Sequence, residues 1–214
     1  MRKKFVVFDF DGTVLDTNQL IINSWQYTFR KYHGYEHSER EILDTFGETL
    51  YDSMKEFFPG DTADMAIESY RDYQLKSWKE DISVFPGVED LLETLKEREH
   101  SLLLVTSRLK PTTMEYLEYF GLRDYFDVVI TSNDTKAHKP DPEPLLTALD
   151  KAGGRPENSI MLGDTRFDIG CANNAGAESV LVQWSHPVDE TKLKAPEFTP
   201  DYRLSRPEDL MALV

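Results

Sequence analysis

The sequence contains very little cysteine and no long hydrophobic run. One cysteine, Cys171, occurs among 214 residues, so no disulfide can form within the chain. Such sparse cysteine is typical of a reducing compartment, and we expect a cytoplasmic protein. No stretch is long and apolar enough to predict a membrane-spanning helix, so no membrane partner is expected. The absence of internal repeats and low-complexity segments argues against a repeat architecture.

Positive charge is also scarce. The chain carries 24 Lys and Arg against 39 Asp and Glu, which gives a formal net charge of -15. A surface of that sign repels the phosphates of nucleic acids, so a nucleic-acid partner is not expected. A small anionic ligand would therefore need local positive charge, from a lysine, a metal ion or helix N-termini.

The most informative segment is an apolar strand that ends in two acids, FVVFDFDGT at 5–13. Alternation along an extended chain sends Asp9 and Asp11 to the same side. Ligands of parallel sheets bind at the carboxyl ends of the strands, where these acids would lie. The pair predicts a nucleophile with a proton-carrying neighbour or a metal site, although the segment alone also fits a solvated strand end. Gly12 permits a turn in which its amide approaches an anion.

The rest of the chain alternates strands and helices, with one interruption. Apolar runs and turn signals predict strands at 101–105, 127–130, 159–162, 179–182 and 202–204, with helices at 88–99, 112–120, 142–152, about 165–176 and 207–213. This alternation predicts an α/β fold, a doubly wound, Rossmann-like parallel sheet with helices on both faces.

The interruption is helical and rich in aromatic residues. We predict an inserted helical-bundle cap at 16–83, and an α/β catalytic core formed by 1–15 and 84–214. The first helix of the cap is expected from Asp16 or Thr17 to Tyr32. Core packing of the bundle is the preferred role for its large side chains, namely Phe46, Tyr51, Met54, Phe57, Phe58, Tyr70, Tyr73 and Trp78.

Three later strand ends also carry groups suited to phosphate. Thr106 follows the second strand, where its hydroxyl and the next amides could donate hydrogen bonds to phosphoryl oxygens. Lys139 follows the third strand, in a loop restricted by prolines, and could neutralise carboxylates and a phosphate. Asp164 and Asp168 follow the fourth strand, four residues apart, so both can face one point. Oxygen ligands from Asp9, Asp11 and Asp164 would suit Mg²⁺.

In this order the segments resemble the four motifs of the haloacid dehalogenase superfamily, in its phosphatase branch. Residues 9–13 are similar to the first motif, Thr106 to the second and Lys139 to the third, while 163–168 (GDTRFD) are similar to the fourth. The resemblance covers essentially the whole chain, because the helical insertion corresponds to the family's mobile cap.

The resemblance implies roles for these residues. Asp9 would attack phosphorus and become an aspartyl-phosphate, and Asp11 would protonate the leaving oxygen and then activate water. Thr106 and Lys139 would hold the phosphoryl group. Mg²⁺ would be bound by Asp9, the Asp11 carbonyl and Asp164, with Asp168 ordering the groups behind these ligands. The residues expected to contact the substrate are Gly12, Thr13, Ser107 and Arg108.

The nearest families in pattern are the phosphoglycolate phosphatases and the pyrophosphatases that resemble them. We therefore expect Mg²⁺-dependent hydrolysis of a small phosphorylated metabolite, a phosphoglycolate-like phosphomonoester, with inorganic pyrophosphatase as the alternative. A β-phosphoglucomutase-like phosphotransferase is disfavoured because Gly163-Asp164 replaces the Glu-Asp typical of those enzymes. A catalytically idle binding module is disfavoured because no motif acid or lysine is missing.

The cap segment 46–50, FGETL, falls where these enzymes carry a substrate-specificity loop. The resemblance therefore implies that Gly47, Glu48 and Thr49 contact the substrate. A plain helix-to-helix turn, with Gly47 at a helix end and Thr49 capping the next helix, explains the same residues. The sequence leaves open the substrate and whether the protein is a monomer or a homodimer.

Overall fold

A six-stranded parallel sheet forms the centre of the computed structural model, which describes residues 4–214; residues 1–3 of the predicted core lie outside this range. The strands of the described chain are β1 (Phe5–Phe8), β2 (Leu15–Asp16), β3 (Ser83–Val84), β4 (Ser101–Val105), β5 (Val128–Ile130), β6 (Ser159–Gly163), β7 (Glu178–Val182) and β8 (Tyr202–Leu204). The order across the sheet is β5-β4-β1-β6-β7-β8, with every pair parallel. The predicted doubly wound α/β class is confirmed.

Eight α-helices accompany these strands: α1 (Asn18–His33), α2 (Glu39–Leu43), α3 (Leu50–Phe57), α4 (Thr62–Asp81), α5 (Val88–Glu97), α6 (Lys110–Tyr119), α7 (Glu143–Ala152) and α8 (Arg166–Ala175). The count refers to the described residues. Short 3₁₀ helices lie at Arg123–Tyr125, Pro156–Asn158, Glu190–Leu193, Pro196–Phe198 and Pro207–Ala212. Helix α6 begins two residues earlier than predicted, because Pro111 in its first turn needs no amide partner.

The central strands β1, β4 and β6 are buried on both faces of the sheet, which explains why they are mainly apolar. Along β1, Val6 and Phe8 pack into the cluster covered by α5 and α6, whereas Phe5 and Val7 pack into the cluster covered by α7 and α8. The thiol of Cys171, on α8, is fully buried in this second cluster. Within the described residues no helix combines the length and the apolar character needed to cross a bilayer.

Helices α1–α4 form a helical insert between β2 and β3, two strands that pair antiparallel at its base. Each of these strands has only two residues, too few for a recognisable sequence pattern. The insert has its own apolar cluster, in which Trp25 and Phe29 stack with ring centroids 5.2 Å apart. Tyr51 departs from the expected core packing because it is 49% exposed, and Trp78 packs on Tyr116 of α6 instead of within the insert.

Candidate active site

The strand order brings four of the predicted groups to one edge of the sheet. β1 lies between β4 and β6, so Asp9, Thr106 and Asp164 follow three neighbouring strands at the same end. Phe8 is in register with Leu104 on one side and Leu162 on the other. Lys139 comes from the loop between β5 and α7. The carboxyl ends of parallel strands are where α/β proteins bind their ligands.

A buried lysine connects two of the acids. Lys139 Nζ donates to Asp9 Oδ1 at 2.7 Å and to Asp168 Oδ1 at 2.5 Å, and all three residues are buried. The other oxygen of Asp168 accepts the amide and hydroxyl of Thr165, which caps α8. The N-terminus of α8 thus fixes Asp168, and Asp168 fixes the ammonium beside Asp9.

Burial and the opposite charge of the partner have opposing effects on the pKa values of Asp9 and Lys139. Burial raises the pKa of Asp9 well above its ordinary value, Asp168 and Asp164 raise it further, and the Lys139 ammonium opposes them. The ammonium itself is desolvated, yet the two carboxylates raise the pKa of Lys139 above its ordinary value. Lys139 is therefore a permanent positive charge at the centre of the site.

Asp164 is held by one oxygen only. Ser185 Oγ donates to Asp164 Oδ2 at 3.0 Å, and His186 Nε2 lies 3.1 Å from the same oxygen. Burial lowers the pKa of His186, but the Asp164 carboxylate outweighs it and the net direction is upward. Asp164 Oδ1 is buried and has no hydrogen-bond partner within residues 4–214. Carboxylate oxygens of Asp9, Asp164 and Asp168 lie within 4.8 Å of one another.

Asp11 is placed differently from its neighbour. Its carboxylate accepts a forked pair of hydrogen bonds from Arg108, from Nε to Oδ2 at 2.9 Å and from Nη2 to Oδ1 at 2.8 Å. The cluster that could hold a metal contains the Asp168 carboxylate, where the sequence suggested Asp11. A role for the Asp11 carbonyl as a metal ligand stays a prediction.

A cavity of about 630 Å³ lies between this sheet edge and the helical insert. Asp9, Asp11, Thr106, Lys139 and Asp164 line it from the core, together with Ser107 and Arg108. From the insert, the segment Gly47, Glu48 and Thr49 faces the same space. The structure thus brings most of the predicted catalytic and substrate-binding residues around one cavity.

Gly12 and Thr13 do not line this cavity. A Cβ on Gly12 would lie 1.9 Å from Asp164 Oδ2, so the glycine allows the first and fourth motifs to approach each other. Thr13 is fully buried and its carbonyl accepts a hydrogen bond from Trp184 Nε1 at 3.1 Å. Contact of either residue with a substrate stays a prediction.

The segment 46–50 is both a turn and a contact with the core. Gly47 has φ +90°, and Thr49 caps α3 by accepting the Asp52 amide, as expected for a helix-to-helix turn. The Gly47 carbonyl also accepts a hydrogen bond from Ser107 Oγ at 2.9 Å. Glu48 accepts from Ser53 Oγ at 2.8 Å, and its burial raises its pKa. The segment therefore joins the insert to the strand end that carries Thr106.

Comparison with known proteins decides the family. The profile of the haloacid dehalogenase-like hydrolases matches residues 6–182. The chain belongs to this family. Like the family's phosphatases, it is a hydrolase that acts on phosphate esters.

Relatives of the haloacid dehalogenase-like family cover almost the whole chain. Pyrophosphatase PpaX of Bacillus pumilus is 35% identical over 209 residues, which is 98% of this chain and 95% of the relative. Pyrophosphatase PpaX of Halalkalibacterium halodurans is 33% identical over 214 residues, 100% of this chain and 98% of the relative. A solved haloacid dehalogenase-like hydrolase from Streptococcus pneumoniae superimposes with a TM-score of 0.84 at 25% identity, covering 98% of this chain and 97% of the other.

Four residues near the site were not predicted as site residues, although Tyr70 was expected in the packing of the helical bundle. Ser185 and His186 contact Asp164 from the irregular segment after β7, while Tyr70 and Gln74 reach the cavity from α4. No local motif marks any of them. Their positions depend on how distant segments pack, which neither spacing nor periodicity reveals.

Proposed function

We propose that the protein is a Mg²⁺-dependent phosphatase that hydrolyses a small phosphorylated metabolite through an aspartyl-phosphate on Asp9. The observation that carries this proposal is the buried Asp9–Lys139–Asp168 arrangement beside the unpartnered Asp164 Oδ1, at the end of the central strand. This arrangement would supply a nucleophile, a fixed positive charge and a cation site around one cavity. Phosphoryl transfer depends mainly on such positioning and charge neutralisation.

The acidic residues fit a hard divalent cation. The three carboxylates of Asp9, Asp164 and Asp168 outnumber the one ammonium of Lys139, and Asp164 Oδ1 is a buried oxygen that finds no donor among the described residues. Asp9 and Asp164 would hold the ion, with Asp168 bound to Lys139 behind them. When bound, Mg²⁺ would offset the charge that develops on the phosphoryl oxygens.

The residues then have distinct tasks. Asp9 Oδ forms a bond to phosphorus while the bond from phosphorus to the leaving oxygen breaks, and Asp11 supplies the proton to that oxygen. Asp11 next takes a proton from a water molecule, which attacks phosphorus and releases phosphate from Asp9. Thr106 and Lys139 hold the phosphoryl oxygens throughout. The helical insert, as a cap over the core, would keep bulk water away from the intermediate.

Pyrophosphate is the first substrate to test. The phosphoglycolate-like phosphomonoester is the function that the sequence motifs favour, but the relatives named PpaX are pyrophosphatases, which supports the alternative. Both compounds are small, and both carry a second anionic group beside the phosphoryl group that would be transferred. A cytoplasmic location stays a prediction.

The test is phosphate release with Mg²⁺ from pyrophosphate, 2-phosphoglycolate, nucleotides and hexose phosphates. We expect Asp9→Asn to lose at least about 10³-fold in kcat, because it removes the nucleophile and keeps the shape. Asp150→Asn, an exposed change of the same chemistry on α7, should retain full activity. Normal turnover by Asp9→Asn would reject the nucleophile, and isomerised sugar phosphate without net release would indicate a mutase.

A further inference from the structure

The guanidinium of Arg108 is an unusual feature of the cavity. Besides its two bonds to Asp11, it lies over the ring of Tyr116, 4.8 Å from the centroid, and its Nη1 is 3.5 Å from Gln74 Oε1. Its side chain is only 8% exposed. A buried guanidinium needs an anionic partner, and among the described residues Asp11 is the carboxylate that ion-pairs with it.

This ion pair conflicts with the role proposed for Asp11. A carboxylate that serves the leaving oxygen must be free to reach it, yet here both oxygens face Arg108. Anything that replaces Asp11 on Arg108 must also be an anion, because otherwise the guanidinium would stay buried and unpaired. The anion best placed to do so is part of the substrate itself.

We propose that Arg108 is the receptor for a second anionic group, carried by the leaving group of the substrate. The enzyme would then select phosphate compounds whose leaving group is negatively charged, a phosphate or a carboxylate, over those with a neutral leaving group. The inference rests on the proposed function and names its substrate class. The planar fork of Arg108 matches both anions geometrically, and the bound anion releases the Asp11 carboxylate toward the leaving oxygen.

The position of Arg108 supports this assignment. Its backbone amide donates to Thr106 Oγ1 at 3.1 Å. The same short turn therefore carries the Thr106 hydroxyl, for the transferred phosphoryl group, and Arg108, for the anion of the leaving group. Both side chains and Asp9 line the same cavity. Gln74 closes the far side of the receptor from the insert, and its Nε2 donates to Tyr70 Oη at 3.0 Å.

Other cations at this cavity are less suited to the task. Arg71 and Lys136 also line it, but both are exposed, so water and salt weaken their attraction for an anion. Lys139 pairs with Asp9 and Asp168 and has its proposed role at the transferred phosphoryl group, not at the leaving group. Arg108 is thus the buried cation whose charge a second substrate anion can share.

The test compares substrates that differ only in the second anion, 2-phosphoglycolate and ethyl phosphate, with pyrophosphate as a third. For wild type, Arg108→Lys and Arg108→Ala, the readout is the ratio of kcat/KM for 2-phosphoglycolate to that for ethyl phosphate. We expect Arg108→Ala to lower this ratio by about 10- to 100-fold, with Arg108→Lys in between, because a bond to a charged group is lost. Arg71→Ala should change the ratio less than about twofold.

A binding measurement separates this inference from the proposed function. Methylenediphosphonate and methylphosphonate are not hydrolysed, so their affinities can be measured by calorimetry with Mg²⁺ whether or not the protein turns over. We expect Arg108→Ala to weaken the diphosphonate by about 10-fold or more and the monophosphonate by less than about twofold. Equal losses for both members of either pair would overturn the proposal and leave Arg108 as a positioning residue for Asp11. If no substrate is hydrolysed but the Arg108-dependent preference for methylenediphosphonate is observed, the proposed phosphatase activity is rejected and the role of Arg108 as an anion receptor is retained.

Discussion

At the residue scale, the site depends on side chains held closer together than their charges favour. Asp9 and Asp168 both pair with Lys139, carboxylate oxygens of these two acids and of Asp164 lie within 4.8 Å of one another, and any Cβ on Gly12 would collide with Asp164. Sequence could predict these acids and the lysine, because each follows a strand or begins a helix. It could not predict Ser185 and His186, which contact Asp164 from a segment without periodic structure.

Gly12→Ala tests that close approach, and Gly34→Ala is its matched control. Both glycines have φ near +75°, at +75° and +78°, but a Cβ on Gly34 meets nothing within 4 Å. Each change should cost about 1–2 kcal/mol of unfolding free energy from backbone strain. Only Gly12→Ala should also displace Asp164 and weaken Mg²⁺ binding, measured as the loss of the Mg²⁺-induced rise in Tm. Equal Mg²⁺ responses in the two variants would show that the collision is relieved without moving Asp164.

The burial of the Asp9 carboxylate, together with the nearby acids, predicts that Asp9→Asn stabilises the metal-free protein. Because the folded pKa of Asp9 is raised, the folded protein binds this proton more tightly than the unfolded chain. The resulting penalty is absent below the unfolded pKa of about 4 and complete above the folded pKa. In chelator at neutral pH we expect Asp9→Asn to raise Tm by at least about 2 °C, and Mg²⁺ to reduce the difference. A lower Tm would mean that the Lys139–Asp9 ion pair outweighs the cost of burying the carboxylate and its repulsion by the other acids.

At the scale of elements, α7 fixes the loop that delivers Lys139. Glu143, in the first turn of α7, accepts the amides of Ala137 at 2.7 Å and Lys136 at 3.2 Å. These bonds lower the pKa of Glu143. Hydrophobic patterning predicted α7 and the other helices of the core to within two residues, since each buries one face, and apolar runs predicted most strands of the large sheet. Strands β2 and β3 were not predicted, because a strand of two residues is too short to show a hydrophobic period. Residues 207–213 were predicted as a helix, and the structure has a 3₁₀ helix at Pro207–Ala212.

Glu143→Ala should loosen this loop without unfolding α7. We expect the amide of Ala137 to exchange with deuterium at least about 10-fold faster, because it loses its acceptor, and kcat to fall as Lys139 becomes less well positioned. Glu143→Gln retains one acceptor oxygen and should show a smaller change in both measurements. Since the pKa is lowered, the restraint is present above the ordinary glutamate pKa and is lost as pH falls through the folded value. Unchanged exchange at Ala137 in Glu143→Ala would contradict this role.

At the scale of the whole molecule, ion pairs connect the helical insert to the segment after β7. Arg40 Nη2 lies 3.2 Å from Asp189 Oδ2, and Lys192 Nζ lies 2.5 Å from Asp44 Oδ1. Phe46 of the insert also contacts the His186 ring edge-on, with centroids 5.1 Å apart. Sequence indicated the helical insertion from its helical, aromatic-rich pattern, and the parallel sheet from apolar runs that alternate with helices. It gave no indication that the segment 185–193 would join them.

Lys192→Ala tests whether these pairs restrain the insert. As an exposed pair, Lys192–Asp44 should contribute less than about 1 kcal/mol to global stability. Its loss should nevertheless raise hydrogen exchange in 39–52, where the insert meets the core, and added salt should do the same to wild type. The control is Arg206→Ala, which breaks an exposed ion pair with Asp209 inside the α/β domain. It should leave hydrogen exchange in 39–52 unchanged. Identical exchange in both variants would show that packing alone restrains the insert.

The buried thiol of α8 makes the protein a convenient object for site-specific labelling. Burial raises the pKa of Cys171 to about 12, so at neutral pH it is a protonated and shielded thiol with little reactivity. A cysteine introduced at an exposed position of the insert, such as Met65, would then be the one reactive thiol of the folded chain. A spin label or fluorophore placed there would report the motion of the insert without any other change to the sequence.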